Sequence, residues 1–217
     1  MFFHGNRNKK KIAITFDDGP SEETEGILEI LRKYNIKATF FIVGGMIKGK
    51  EHLIEKAKKE GHEFGNHTYS HKRLWFKSKK FIEEEIKKCD EELSRVGITT
   101  NLFRFPGLKF GPSSLSICKK LNKEIIFGAL TYDWVSYDYW NPWFKKKKDI
   151  KGKIKIDTVV KKALSKAKNG SIVVFHDYLQ EIGRNEEIIP ILERVLPKLK
   201  KENFEFVTVS QLLFAKK

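Results

Sequence analysis

The chain has 217 residues, 40% of them hydrophobic, with 43 Lys and Arg against 28 Asp and Glu for a formal net charge of +15. That length suits one domain with a substantial core, and no apolar run approaches the ~18 residues of a membrane span. Only two cysteines occur, Cys89 and Cys118, far apart, which points away from a disulfide scaffold or a cysteine zinc cluster. The positive excess should draw the protein toward anionic polymers or surfaces. The lysines nevertheless alternate with glutamates, as in Glu55-Lys56-Ala57-Lys58-Lys59-Glu60, and accompany no nucleic-acid motif. The start, Met1-Phe2-Phe3-His4-Gly5, lacks the apolar core of a secretory signal. A cytoplasmic protein is the plain expectation, and an extracellular or cell-surface one if the chain is processed or trimmed.

Taken in order, the hydrophobic periodicity predicts strands over 11–16, 38–43, 62–66, 101–105, 125–131, 171–175 and 205–208. Helices are predicted over 22–34, 51–60, 78–96, 113–121, 157–167 and 186–201. Ser21 to Thr24 and Ser78 supply capping chemistry at helix starts, and Gly61, Gly97 and Asn169-Gly170 supply stops. Alternating β/α units with apolar strands argue for a parallel sheet closed into a barrel, although an open doubly wound sheet fits the periodicity nearly as well.

The first strand ends in Thr15-Phe16-Asp17-Asp18-Gly19-Pro20. Adjacent carboxylates repel one another and resist desolvation, so a positive partner, such as a metal ion, is expected beside them. Asp-Asp-Gly-Pro is also ordinary turn chemistry. After the third strand comes His67-Thr68-Tyr69-Ser70-His71, whose spacing would put both imidazoles on one face of a helical turn. Two histidines and a carboxylate make a familiar ligand set for catalytic zinc, which casts Asp18 as the third ligand and leaves Asp17 free as a base. The acids, these histidines, Arg104 and His176 all fall at or after strand C-termini and should converge on one rim.

Thr-Phe-Asp-Asp-Gly-Pro, His-Thr-x-x-His, Arg104-Phe105-Pro106-Gly107 and Val174-Phe175-His176-Asp177 resemble, in order and rough spacing, the motif series of the polysaccharide deacetylases. This is the NodB-homology group, carbohydrate esterase family 4. The resemblance covers about residues 11–213 and implies one NodB-like domain over 1–217, an α/β fold built as a distorted (β/α)7 barrel. It implies metal-dependent removal of N-acetyl groups from N-acetylglucosamine-containing glycans, chitin oligomers or peptidoglycan. Asp18, His67 and His71 would hold a divalent ion, zinc before cobalt or another metal. Asp17 would be the general base, His176 the general acid, and Arg104 the partner that fixes Asp17, its guanidinium fork suiting a bidentate contact.

In the family a tyrosine follows the proline of the third motif; here Gly107 takes that place, keeping a backbone donor for the oxyanion but removing an aromatic wall. Val174 stands where leucine usually lines the acetyl-methyl pocket. The fourth motif, an Asp-Trp pair, matches Asp133-Trp134 literally, whereas Asp138-Tyr139 lies better after the strand; Asp138 is preferred as the acid that tunes His176. Trp140 begins a Trp- and Lys-rich stretch that forms either a sugar-stacking lid or a solvated loop packed back on the barrel. Trp75 and the adjacent Phe76 are candidates for stacking on a pyranose ring, or for the core. The partner expected is a glycan, in an anionic matrix given the charge, with no specific nucleic acid. A small non-sugar amide as substrate, and a non-catalytic binding protein, are the competing readings.

Overall fold

The computed structural model describes residues 1–131, 133, 156–178 and 187–215. All strand pairings in its sheet are parallel. The strands are β1 (Lys11–Asp17), β2 (Thr39–Ile42), β3 (Glu63–Asn66), β4 (Leu102–Phe103), β5 (Glu124–Ile125), β6 (Ala129–Leu130), β7 (Ser171–His176) and β8 (Glu205–Phe206). They run β5-β4-β3-β2-β1-β7-β6, and β8 pairs with the start of β1. Helices α1 (Thr24–Lys33), α2 (Glu51–Lys59), α3 (Lys79–Arg95), α4 (Pro112–Lys120), α5 (Ile156–Lys166), α6 (Ile188–Lys201) and α7 (Val209–Phe214) alternate with the strands. This is the curled, distorted barrel expected, with helices outside.

The two edge strands of that order are halves of one stretch. The single strand predicted over 125–131 divides at Phe127-Gly128: β5 pairs with β4 on one side and β6 with β7 on the other, so 124–130 closes the sheet on itself. The glycine is there because of a close approach. A Cβ on Gly128 would lie 2.6 Å from a Val174 methyl and 2.8 Å from the Ile172 carbonyl oxygen. Phe2 hydrogen-bonds across the same seam, its N–H to the Ile125 carbonyl and its carbonyl to the Phe127 N–H, each at 2.8 Å.

Alternation along the strands sorts side chains into two cores. From β1, Ile12, Ile14 and Phe16 join the residues of α1, α5 and α6 in the outer layer, whereas Ala13 packs inside with Phe41, Leu102, Ile126 and Ile172. Thr15 and Asp17 share the inward face with Ala13, and the register pairs Thr15 with Val174 and Asp17 with His176. The inner face therefore changes from apolar at the base to polar at the C-terminal rim. Helix ends follow the sequence signals: Ser78 Oγ accepts from the Phe81 N–H at 3.2 Å, and Gly61, Gly97 and Gly170 all adopt positive φ. Helix α7 and the 3-10 turns at Gly44–Met46 and Pro106–Leu108 add to the predicted elements.

One buried histidine makes the fold acid-sensitive. His62 Nδ1 accepts from the Ala38 N–H at 3.1 Å, and its Nε2 has no hydrogen-bond partner among the described residues. Burial, with Lys37 nearby, pulls its pKa down to about 4. Because the folded value lies below the unfolded one near 6.5, the contribution is present above pH 6.5 and is lost as pH falls toward 4. That loss is worth about 3 kcal/mol. Urea unfolding at stepped pH is expected to show this acid-induced loss in the wild type and a smaller one in His62→Gln.

Candidate metal centre and active site

Asp17 ends β1, and Asp18 begins the turn beyond it with φ of 73°, a left-handed value that costs a non-glycine residue about 1 kcal/mol or more. Both acids are buried. The turn is tied down by Asp177, which follows β7. Its carboxylate accepts from the hydroxyls of Ser21 at 2.6 Å and Thr24 at 2.7 Å. A Cβ on Gly19 would meet Asp177 Oδ2 at 2.1 Å, so only glycine fits there. Burial raises the Asp177 pKa to about 6, against the pull of the two hydroxyls and with a further push from Asp18 and Glu23. The sequence placed Asp177 in a motif without giving it this task.

The His67-to-His71 segment is a loop and not the helical turn expected from its spacing. Thr68 and His71 take positive φ, 69° and 54°, which an α-helix excludes. Side chains from elsewhere hold the loop in shape: Asn66 Oδ1 accepts from the Thr68 N–H at 2.8 Å. The buried Glu85 of α3 accepts from the Ser70 N–H at 2.8 Å and the Ser70 hydroxyl at 2.7 Å. His67 Nδ1 pairs with the Arg104 carbonyl at 2.8 Å, which directs its Nε2 toward Asp18.

Asp18 Oδ1 lies 2.9 Å from His71 Nε2 and 3.3 Å from His67 Nε2, yet among the described residues this buried oxygen has no partner in hydrogen-bonding geometry. Asp18, His67 and His71 offer ligand atoms that all lie within 4.8 Å of one another. An orphaned carboxylate oxygen facing two imidazole nitrogens fits a cation better than it fits a hydrogen bond. Burial alone would raise the Asp18 pKa; the facing histidines outweigh it and hold the carboxyl far below its ordinary range. A divalent ion therefore fits the residues present.

Two further pairs flank this trio. Fully buried Arg104, just beyond β4, donates from Nη1 to Asp17 Oδ1 at 2.5 Å and to Thr15 Oγ1 at 2.8 Å, and from Nε to the Ile126 carbonyl at 3.2 Å. The contact is end-on and not bidentate, since Thr15 shares Nη1; the guanidinium carbon stacks 3.9 Å from the centre of the Phe41 ring. On the other side His176 Nδ1 lies 2.8 Å from Asp133 Oδ1, and its backbone N–H donates to Asp133 Oδ2 at 2.7 Å. Burial would lower the His176 pKa, but Asp133, with Asp18 and Asp17 beyond it, raises it to about 9. Thr131 Oγ1 steadies the acid at 3.0 Å from Asp133 Oδ1.

Asp138, preferred from sequence as the acid on His176, lies outside the described residues, as do Trp140 and the rest of the Trp- and Lys-rich stretch. Among the described residues, Asp133 places a carboxylate on His176. Val174 is buried one inward position below His176, and Gly107 has φ of 60° in the Pro106–Leu108 turn. Trp75 is 47% exposed and stacks on Phe76 at 4.7 Å, so the pair belongs to the surface and not to the core. A cavity of about 470 Å³ lined by Arg7, Lys10, Lys168, Asn169, Glu202 and Phe204 lies at the opposite, N-terminal end of the strands, away from these groups.

The polysaccharide deacetylase family profile matches residues 4–126. The chain is 34% identical over 212 residues to a peptidoglycan-N-acetylglucosamine deacetylase of Bacillus cereus, covering 95% of this chain and 89% of that one. It is 30% identical to the peptidoglycan-N-acetylglucosamine deacetylase PgdA of Listeria monocytogenes but spans only 39% of that longer protein. Among solved structures, a peptidoglycan N-acetylglucosamine deacetylase in complex with 4-naphthalen-1-yl-N-oxidanyl-benzamide superposes with a TM-score of 0.84 at 28% identity, over 99% of this chain and 93% of that one. A family 4 acetyl xylan esterase from Clostridium thermocellum, in complex with a cobalt ion, superposes with a TM-score of 0.77 at 27% identity, over 93% and 89% of the two chains. With that profile, that identity and the shared barrel, the chain belongs to the polysaccharide deacetylases of carbohydrate esterase family 4.

Proposed function

We propose that the chain removes the acetyl group from N-acetylglucosamine units of peptidoglycan, with chitin oligomers as the neutral glycan it should also be tried on. The observation that carries this reading is the orphaned Asp18 oxygen between two imidazoles, flanked by Asp17 on Arg104 and His176 on Asp133. An acetamide is a poor electrophile; its hydrolysis needs a polarised carbonyl, a strong nucleophile and a proton for the departing amine. An ion held by Asp18, His67 and His71, zinc in this reading and cobalt as the alternative, supplies a Lewis acid for the carbonyl and for water. Asp17 takes the proton of the attacking water, and Arg104 holds that carboxylate in place. The backbone N–H of Gly107 donates to the developing oxyanion, and Val174 floors the pocket for the methyl group. His176 gives its Nε2 proton to the leaving amine, since Nδ1 is engaged by Asp133. Trp75, and Trp140 from beyond the described residues, stack on sugar rings, and the whole chain acts as one catalytic domain.

No helix among the described residues is long and apolar enough to cross a membrane. A peptidoglycan substrate would put the site of action outside the membrane, the second of the two compartments considered from sequence. Acetate release from peptidoglycan fragments and chitooligosaccharides, by protein stripped with a chelator and reloaded with zinc or cobalt, tests the reading. Release should vanish on stripping and return on reloading. Full activity in metal-free protein would overturn the metal's part, and metal binding without acetate from any glycan would overturn the substrate.

A further inference from the structure

We infer that Arg73 is a specificity residue that reads a carboxylate on the glycan beside the sugar being deacetylated; this rests on the deacetylase reading above. Two loops leave the site side by side. Arg73 follows the metal-centre residue His71 by two positions, and Gly107 follows Arg104 by three. They meet where the family's aromatic wall is missing: a Cβ on Gly107 would lie 3.6 Å from Arg73 Nε. The guanidinium thus stands over backbone where a tyrosine ring would otherwise be.

Its surroundings suit an acidic sugar polymer. Next along the loop, Trp75 and Phe76 form an exposed stacked pair, with Phe76 89% exposed and held at φ of 59°. A bulky side chain kept in left-handed backbone with its ring in solvent gains nothing from burial and presents a flat face. Lys109 Nζ lies 5.7 Å from the centre of the Trp75 ring. Some lysines elsewhere are paired, as Lys56 with Glu25, Lys87 and Lys120 with Glu83, and Lys123 with Asp90. Among the described residues Lys72, Arg73, Lys77 and Lys109 form no ion pair with an acid. A stacking face bordered by unpaired cations selects a sugar chain that carries carboxylates, and a guanidinium fork matches a carboxylate at two points. N-acetylglucosamine alternating with a lactyl ether acid has that chemistry; chitin does not.

The test compares peptide-free peptidoglycan glycan fragments, the same fragments with the lactyl carboxyl methyl-esterified, and chitooligosaccharides, as substrates for wild type, Arg73→Gln and Arg73→Lys. Binding of the first two by calorimetry is run in parallel. Wild type is expected to favour the free acid over its ester by about tenfold in kcat/KM and in affinity. Arg73→Gln should remove most of that preference, with Arg73→Lys between. A preference that survives Arg73→Gln, or a variant that loses acid and ester equally, overturns the assignment. Absence of acetate from every glycan overturns the deacetylase reading instead, and the binding comparison still decides whether Arg73 reads the carboxylate.

Discussion

Asp17→Asn is expected to lower kcat for acetate release about a thousandfold, the scale of losing a general base, the role proposed for Asp17, while the content of bound metal stays near that of the wild type. The substitution keeps the shape of the side chain and leaves Asp18, His67 and His71 untouched. It removes the charge that faces Arg104 Nη1 at 2.5 Å inside a buried site. A second effect must follow: a fully buried guanidinium without its counter-charge should lower stability by about 3 kcal/mol. Stopped assays for acetate, metal analysis and urea unfolding on one preparation separate the two. A folded, metal-loaded variant that keeps a tenth of wild-type kcat would mean that another group takes the proton.

The second large effect is on the acid side. His176 has its pKa raised to about 9 by Asp133 and the more distant aspartates. It is therefore protonated, and able to give a proton, below that value, and kcat/KM should fall as pH rises through it. A cation against Asp18 weakens that carboxylate's share, so the metal-loaded enzyme should show its basic limb at or below about pH 9. In Asp133→Asn the Coulombic support and the charged hydrogen bond both vanish. The limb should then move acidic by about one unit or more, with kcat reduced about a hundredfold as the ring loses its orientation. His176→Ala should remove the limb along with most of the activity. An unmoved limb in Asp133→Asn would show that the ionisation belongs to another group.

The sequence was legible wherever a signal was local. Residues 51–60 read as a helix and Glu51–Lys59 is one; Ser78 reads as a cap and caps. The paired acids and the histidines do meet, because strand order carries them to one rim whatever their separation along the chain. Three matters were not local. Ile125 to Thr131 is one apolar run by composition, and only the press of Gly128 against Val174 and Ile172 reveals its bend. That bend also bears on the acid of His176: with β6 ending at Leu130, Asp133 is already past the strand and in reach. The helical reading of His67 to His71 rested on spacing, while the loop is shaped by Glu85 and Asn66. Glu85 stands among Glu83, Glu84 and Lys87 as one more charge on an amphipathic helix, so nothing nearby marked it as buried.

The seam of the barrel has a mechanical consequence. Ile126 holds Arg104 through its carbonyl, and a few residues later Thr131 lies 2.8 Å from the Val174 carbonyl oxygen and beside Asp133. The supports of the proposed proton acceptor Asp17 and proton donor His176 thus hang from one short span of backbone, which would work as a spacer bar between the two halves of the reaction. Its length sets their separation, and slack introduced into it would be felt by both at once.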